Sequence, residues 1–195
     1  MWVHESGTLL AVEMHVSGYD MEIDALDRVV IRDQQRSFES SVLLLPYATA
    51  RSRSSSEVVL TTPLRNYTVD DYPELYDAIG HPEGRLKLEA IRAAGYDFLE
   101  RGMGVPVHCF YSGGTETPER LVYDSMSAFP DSEPRREMGD GDGTVNRRSL
   151  EACRHWKHVQ PQHPVYEKYH PGIGHRELLH QPRLIDDILD VARGR

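Results

Sequence analysis

At 195 residues the chain can bury one sizeable core and is short for two, so one compact unit, or a piece of a larger one, is expected. Its 31 acidic against 22 basic residues leave a formal charge of −9 with no Lys/Arg cluster to offset it locally, which sets aside nucleic acid and polybasic membrane docking. No apolar run nears the ~20 residues of a membrane-spanning helix, and the start, with Glu5 and Glu13 in and before its apolar patch, does not read as a signal peptide.

In chain order, Ser40–Ala48 is the richest apolar stretch and reads as a buried strand or a packed loop ending at Pro46, because the residue before proline is driven toward extended geometry. Ala50–Glu57, serine-rich and charge-flanked, reads as a surface loop, and VVLTTP after it as a short strand. The sequence TVDDYPELYDAIG predicts a short helix with Thr68 as N-cap, apolar Tyr72, Leu75, Tyr76 and Ile79, and a closing Gly80. Arg85–Gly102 reads as a helix interrupted at Gly95.

VPVHCFY, from Val105, is β-branched and aromatic and suits a buried parallel strand; the stretch from His163 is a second strand candidate. Between them Leu150, Cys153 and Trp156 recur three apart on one helical face, and PRLIDDILDVARG has proline at a helix start and glycine at its stop. The order strand, loop, helix, strand, loop, helix is that of an α/β sheet.

Two glycine-rich turns fall where open α/β folds keep their chemistry: GDGDGTVN at 139–146 and HPGIGH at 170–175. Three readings of the aspartates compete. Asp-Gly pairs make tight turns. Asp140, Asp142, Thr144 and Glu151 fall at calcium-loop positions, but Val145 replaces the required glycine and Arg148 occupies a ligand slot. The third reading makes Asp142 the acid of a Ser/Asp/His triad with His175, in the chain order of α/β-hydrolases. The tail also carries His155, His158, His163, His170 and His180; His155 and His158 share a helix face, yet no cysteine or acid completes a zinc set at familiar spacing. Cys109 and Cys153 are one disulfide or two free thiols, with free thiols slightly ahead on count alone. NYT at Asn66–Thr68 is a glycosylation acceptor pattern.

GDGDGTVN, the strand VHCFY with its cysteine, CRHW and GIGH together resemble the C-terminal half of the lecithin:cholesterol acyltransferase family, in particular its lysosomal (group XV) phospholipase A branch. SGYD (17–20), IRDQQRS (31–37), LLLPY (43–47) and RNYTVDDY (65–72) extend the resemblance over nearly the whole chain. The resemblance implies the C-terminal part of an α/β-hydrolase fold, its last strands and helices, preceded by lid and cap segments: a leading helix with lid and hinge at 1–49, a cap at 50–103 and the hydrolase core at 104–195. It implies that Asp142 is the triad acid, that His175 is the base, and that Asp140 is a loop residue. It further implies a Cys109–Cys153 disulfide, reversing the count-based reading, a glycan at Asn66, and a lysosomal or extracellular location.

The family's serine, in a G-x-S-x-G elbow, has no counterpart in these residues; YSGGT, with Ser112, lies on the wrong side of the acid. The implied activity is phospholipase A and lipid O-acyltransfer at a membrane or lipoprotein surface, from phospholipid to water or a lipid alcohol, with no metal or organic cofactor. The 195 residues alone are expected to be inactive, as a fragment or truncated form. The alternative is a non-catalytic lipid-binding module of the same fold.

Overall fold

The computed structural model describes residues 7–21, 23, 25–47, 57–94 and 98–194. Helices α1 (Leu9–Val16), α2 (Arg28–Ser37) and α3 (Glu39–Leu43) lead into strands β1 (Val58–Thr61) and β2 (Asn66–Thr68), then α4 (Tyr72–Ala78), α5 (Pro82–Ala93) and α6 (Phe98–Arg101). Strands β3 (Val107–Gly113), β4 (Thr115–Val122) and β5 (Arg135–Gly141) follow. The remainder is α7 (Arg147–Leu150), a 3-10 turn Ala152–His155, α8 (Trp156–Val159), β6 (Val165–Pro171), a second 3-10 turn Glu177–His180, and α9 (Pro182–Ala192).

The class is mixed α/β: a four-stranded sheet in the order β2-β1-β4-β5, with β1 antiparallel to β2 and parallel to β4, and a two-stranded parallel sheet β3-β6. The sequence reading missed β4 and β5, whose threonine-proline and arginine-rich stretches lack a clean alternation. In place of one unit the described residues form two, one of residues up to 94 together with Pro118–Met138, and one of residues 98–117 together with those from Gly139 onward. No helix among the described residues is long and apolar enough to cross a membrane.

In the first unit α1 is buried nearly all round, its N-terminus capped by the Thr8 hydroxyl on the Leu10 N–H. That burial includes Glu13, fully enclosed, which Arg28 of α2 and Arg136 of β5 grip from two sides, the latter through Nε and Nη2 at 2.9 and 2.7 Å. A buried carboxylate is tolerated only when paired in this way. Asp27 caps α2 on the Val29 and Val30 N–H groups. The apolar Ser40–Ala48 stretch is neither strand nor loop at its start: the Ser41 hydroxyl donates to the Gln35 and Phe38 carbonyls and the chain winds into α3. Short apolar runs do not distinguish these outcomes by period.

The core cluster of this unit joins α1, β1, α4 and β4, with Leu60 and Leu121 paired across β1 and β4 and both fully enclosed. Tyr72, Leu75, Tyr76 and Ile79 are buried as their spacing predicts, and Gly80, at φ +65, ends α4. Thr68 is not the N-cap. It belongs to β2, opposite Val58, and its N–H and hydroxyl donate to the Asp71 carboxylate at 2.7 and 2.6 Å, while Pro73 sits in the first turn of the helix. The expected helix of Arg85–Gly102 is α5, begun earlier at Pro82, followed by α6; Gly95 and Tyr96 lie outside the described residues, as does the serine-rich loop except for Glu57.

In the second unit β3 and β6 run parallel in register from Val107↔Val165 to Gly113↔Pro171. Only the C-terminal end of β3, Tyr111–Gly113, is buried, because among the described residues β3 pairs with β6 alone. The helix expected through Leu150, Cys153 and Trp156 is broken into α7, a 3-10 turn and α8; Cys153 and Trp156 are still buried, and Cys153 is bonded to Cys109 of β3. Helix α9 starts at its proline as read.

Candidate functional site

The acidic turn forms because aspartate and glycine satisfy the backbone locally. The Asp142 Oδ1 accepts the N–H groups of Thr144 and Val145 at 3.1 and 2.8 Å, and the Asp142 N–H donates to the Val145 carbonyl at 3.2 Å. Gly143, at φ +91, makes the reversal, and its N–H donates to the hydroxyl of Thr117, an enclosed β4 residue, at 2.8 Å. Gly141 is required by space: a Cβ there would lie 2.3 Å from the Val145 carbonyl oxygen and 2.5 Å from the Thr117 hydroxyl.

The second turn leaves β6 at Pro171. Gly172, at φ +70, donates its N–H to the Gly113 carbonyl at 2.7 Å, which seats the turn against the end of β3. Three residues later His175 meets Asp142 twice: its N–H donates to the Asp142 carbonyl and its Nδ1 lies 2.7 Å from Asp142 Oδ2. A carboxylate only accepts, so the proton between them sits on Nδ1, an arrangement that selects the tautomer with its lone pair at Nε2. Asp142 is 1% exposed at its side chain and His175 22%. A buried acid and a partly exposed imidazole so arranged can orient one tautomer, take a proton at Nε2 and stabilise the cation that results.

Asp140, expected as a loop residue, lies instead within strand β5, next to its last residue Gly141, and stands apart from this pair. Its Oδ1 accepts the Gly114 N–H at 2.7 Å and its Oδ2 meets Arg147 at 3.2 Å, and these partners hold its carboxyl below the usual range, the Gly114 hydrogen bond foremost. With both aspartates engaged by backbone, His175 and Arg147, the calcium-loop spacing is spent on turn chemistry. Among the described residues no three His, Cys, Asp or Glu side chains converge as a metal set. The other tail histidines are placed elsewhere: His155 faces Glu100 at 3.3 Å and His170, enclosed, lies 3.6 Å from Asp187. Ser112 is fully enclosed in β3. The sequence reading passed over Thr117, Gly114 and Arg147, since a lone threonine, glycine or arginine carries no signal until its hydrogen-bond partner is known.

Residues 96–182 match the family model for lecithin:cholesterol acyltransferase. The chain is 37% identical over 175 residues to the lysosomal phospholipase A and acyltransferase of Homo sapiens, and 36% over 176 to that of Canis lupus familiaris, each alignment covering 89% of this chain and 40% of the relative. It is 30% identical over 177 residues to the phosphatidylcholine-sterol acyltransferase of Gallus gallus, again 89% of this chain and 40% of that protein. The chain thus spans about two fifths of the length of these curated relatives, which are enzymes by name. On these matches this chain belongs to the lecithin:cholesterol acyltransferase family.

Proposed function

We propose that these residues contribute the acid and the histidine of a Ser/Asp/His acyl-transfer site in a phospholipase A and lipid O-acyltransferase. The observation that carries the reading is the 2.7 Å contact between buried Asp142 and the Nδ1 of His175, on turns that follow β5 and β6. A serine, absent from the 195 residues in any G-x-S-x-G setting, would come from a further segment of a longer polypeptide. His175 takes the serine proton at Nε2 as the hydroxyl attacks a phospholipid ester, then returns it to the departing lysolipid oxygen. Water or a lipid alcohol next loses its proton to the same nitrogen and takes the acyl group as the bond to the serine oxygen breaks; the proton passes from Nε2 to that oxygen, while Asp142 holds the ring throughout.

In this reading residues 1–49 carry the lid and hinge, 50–103 the cap, and 104–195 the last part of an α/β-hydrolase core. Support for lipid contact at the lid comes from exposed apolar side chains at Ile23, Val29, Val30 and Phe38, with Val30 71% exposed. The location proposed is lysosomal or extracellular, which suits the Cys109–Cys153 disulfide, and Asn66, exposed on β2, is the proposed glycan site.

The test is a fluorophosphonate probe with ester hydrolysis as a second readout. The 195-residue chain remains unlabelled, whereas a longer polypeptide carrying a G-x-S-x-G segment is labelled. Asp142→Asn there lowers turnover by about four orders of magnitude through the wrong histidine tautomer. Covalent labelling of the short chain, or full turnover by the asparagine variant, overturns the proposal; retained lipid binding with no turnover in the long form selects the non-catalytic lipid module.

A further inference from the structure

The first aspartate of GDGDG does more than shape its own turn. Its Oδ1 accepts the Gly114 N–H at 2.7 Å, and Gly114, at φ +84, belongs to the two-glycine reversal that ends β3. The carbonyl of the neighbouring Gly113 accepts the Gly172 N–H, also at 2.7 Å, and Gly172 opens the turn that delivers His175. His175 in turn donates its backbone N–H to the carbonyl of Asp142, two residues beyond Asp140. The contacts close a ring: Asp140 to the glycine reversal, the reversal to the histidine turn, the histidine turn to Asp142, and Asp142 back to Asp140 along the chain.

Other contacts anchor Asp140 in this ring. Arg147 meets Oδ2 at 3.2 Å, lies over the Tyr169 ring at 4.6 Å, and reaches Glu151 at 2.9 Å, so the carboxylate is gripped from α7 while its other oxygen faces the reversal. The reversal calls for glycine at 114 through its backbone, at φ +84, while a Cβ at Gly113 would meet Asp140 Oδ1 only at an ordinary van der Waals distance of 3.6 Å. The lowered carboxyl pKa of Asp140, caused first by the Gly114 N–H, agrees with an anion held in place.

The geometry points to Asp140 as a positioning residue that sets the histidine turn against the acid turn, and through it the alignment of His175 on Asp142. Its side-chain contacts run to the Gly114 N–H and Arg147, and it acts through the Gly113–Gly114 reversal. The inference rests on the acid–histidine reading of Asp142 and His175 and adds a residue that reading treats as loop only. A charged acceptor on a backbone N–H is among the stronger single contacts available to a turn.

The experiment is NMR on the 15N-labelled 195-residue chain, following the ring proton on His175 Nδ1. The unmodified chain shows this proton downfield and protected, and Asp142→Ala abolishes it. Asp140→Ala speeds its exchange about tenfold or more, and Asp140→Asn restores most of the protection because the amide oxygen still accepts the Gly114 N–H. Arg147→Ala, which spares Oδ1, changes exchange far less. A ring proton present in the unmodified chain, lost in Asp142→Ala and unchanged in Asp140→Ala overturns the role of Asp140 and leaves the acid–histidine pair standing; a ring proton absent from the unmodified chain overturns both. Should Asp140→Ala fail to fold, the Gly114 amide and the ring proton of the unmodified chain decide: shared protection against added urea supports the coupling, and independent exchange overturns it.

Discussion

Thr117 shows how much of the candidate site is set by one side chain with no catalytic chemistry. Its hydroxyl is enclosed, accepts the Gly143 N–H and donates to the Thr115 carbonyl at 3.0 Å, so it closes the acid turn from β4. Thr117→Val keeps the volume and leaves the Gly143 N–H without its acceptor. Loss of about 1–3 kcal/mol in urea unfolding is expected, with Thr117→Ser close to the unmodified chain; equal stability of the valine variant would show that the turn holds itself. The two aspartates make the same point from the other side. Their spacing alone admits a calcium loop, and their hydrogen-bond partners distinguish them: Asp142 meets His175, whereas Asp140 meets the Gly114 N–H and Arg147.

Elements in this protein are joined by charge as well as by apolar packing. Glu13, enclosed on α1, draws α2 through Arg28 and β5 through Arg136, and Glu133 faces both arginines at 2.8 and 3.3 Å. Glu13→Gln leaves two guanidinium groups with a weaker partner, and a loss of about 3 kcal/mol is expected, at the low end for a broken buried pair because Glu133 remains. The check is the urea midpoint at neutral pH, and a change under 1 kcal/mol would mean that the arginines are solvated. In the second unit a covalent link serves the same end, as the Cys109–Cys153 bond ties β3 to the 3-10 turn that follows the acid loop. Helix periodicity predicted continuous winding there; burial of Cys153 and Trp156 survived while the winding did not.

For the molecule as a whole, a histidine outside the candidate site contributes to the response to acid. His15, enclosed on α1, faces Tyr76 of α4 and His81, with Arg36 and Lys87 close by. Burial first, then the repulsion of these positive groups, pushes its pKa from 6.5 to about 3, and His81 is lowered for the same first reason. The folded ring stays neutral while the unfolded ring takes a proton below about 6.5, so stability is full above that pH and falls as the pH drops toward the folded value. The slope is about 1.4 kcal/mol per pH unit, near 2 kcal/mol by pH 5. Urea unfolding at pH 7 and pH 5 measures it, and His15→Leu removes most of the difference; an unchanged slope in that variant would place the acid sensitivity elsewhere. The exposed apolar side chains of α2 are the other whole-molecule feature, offered to lipid in the proposed function.

Much of the fold and the site was legible from residues a few positions apart. Pro182 starting α9, Gly80 ending α4, the β-branched runs of β3 and β6, and the Asp-Gly turn all express local backbone preferences, which a short stretch carries within itself. The two glycine-rich turns that carry the candidate pair Asp142 and His175 belong to the same local kind. Tertiary structure alone decided what depends on partners far along the chain that no motif announces: Thr117 to Gly143 across 26 residues, Asp140 to Gly114 across 26, and Glu13 to Arg136 across 123. A hydroxyl, a glycine N–H or a buried carboxylate is defined by what it meets, and that meeting is settled by the path of the backbone.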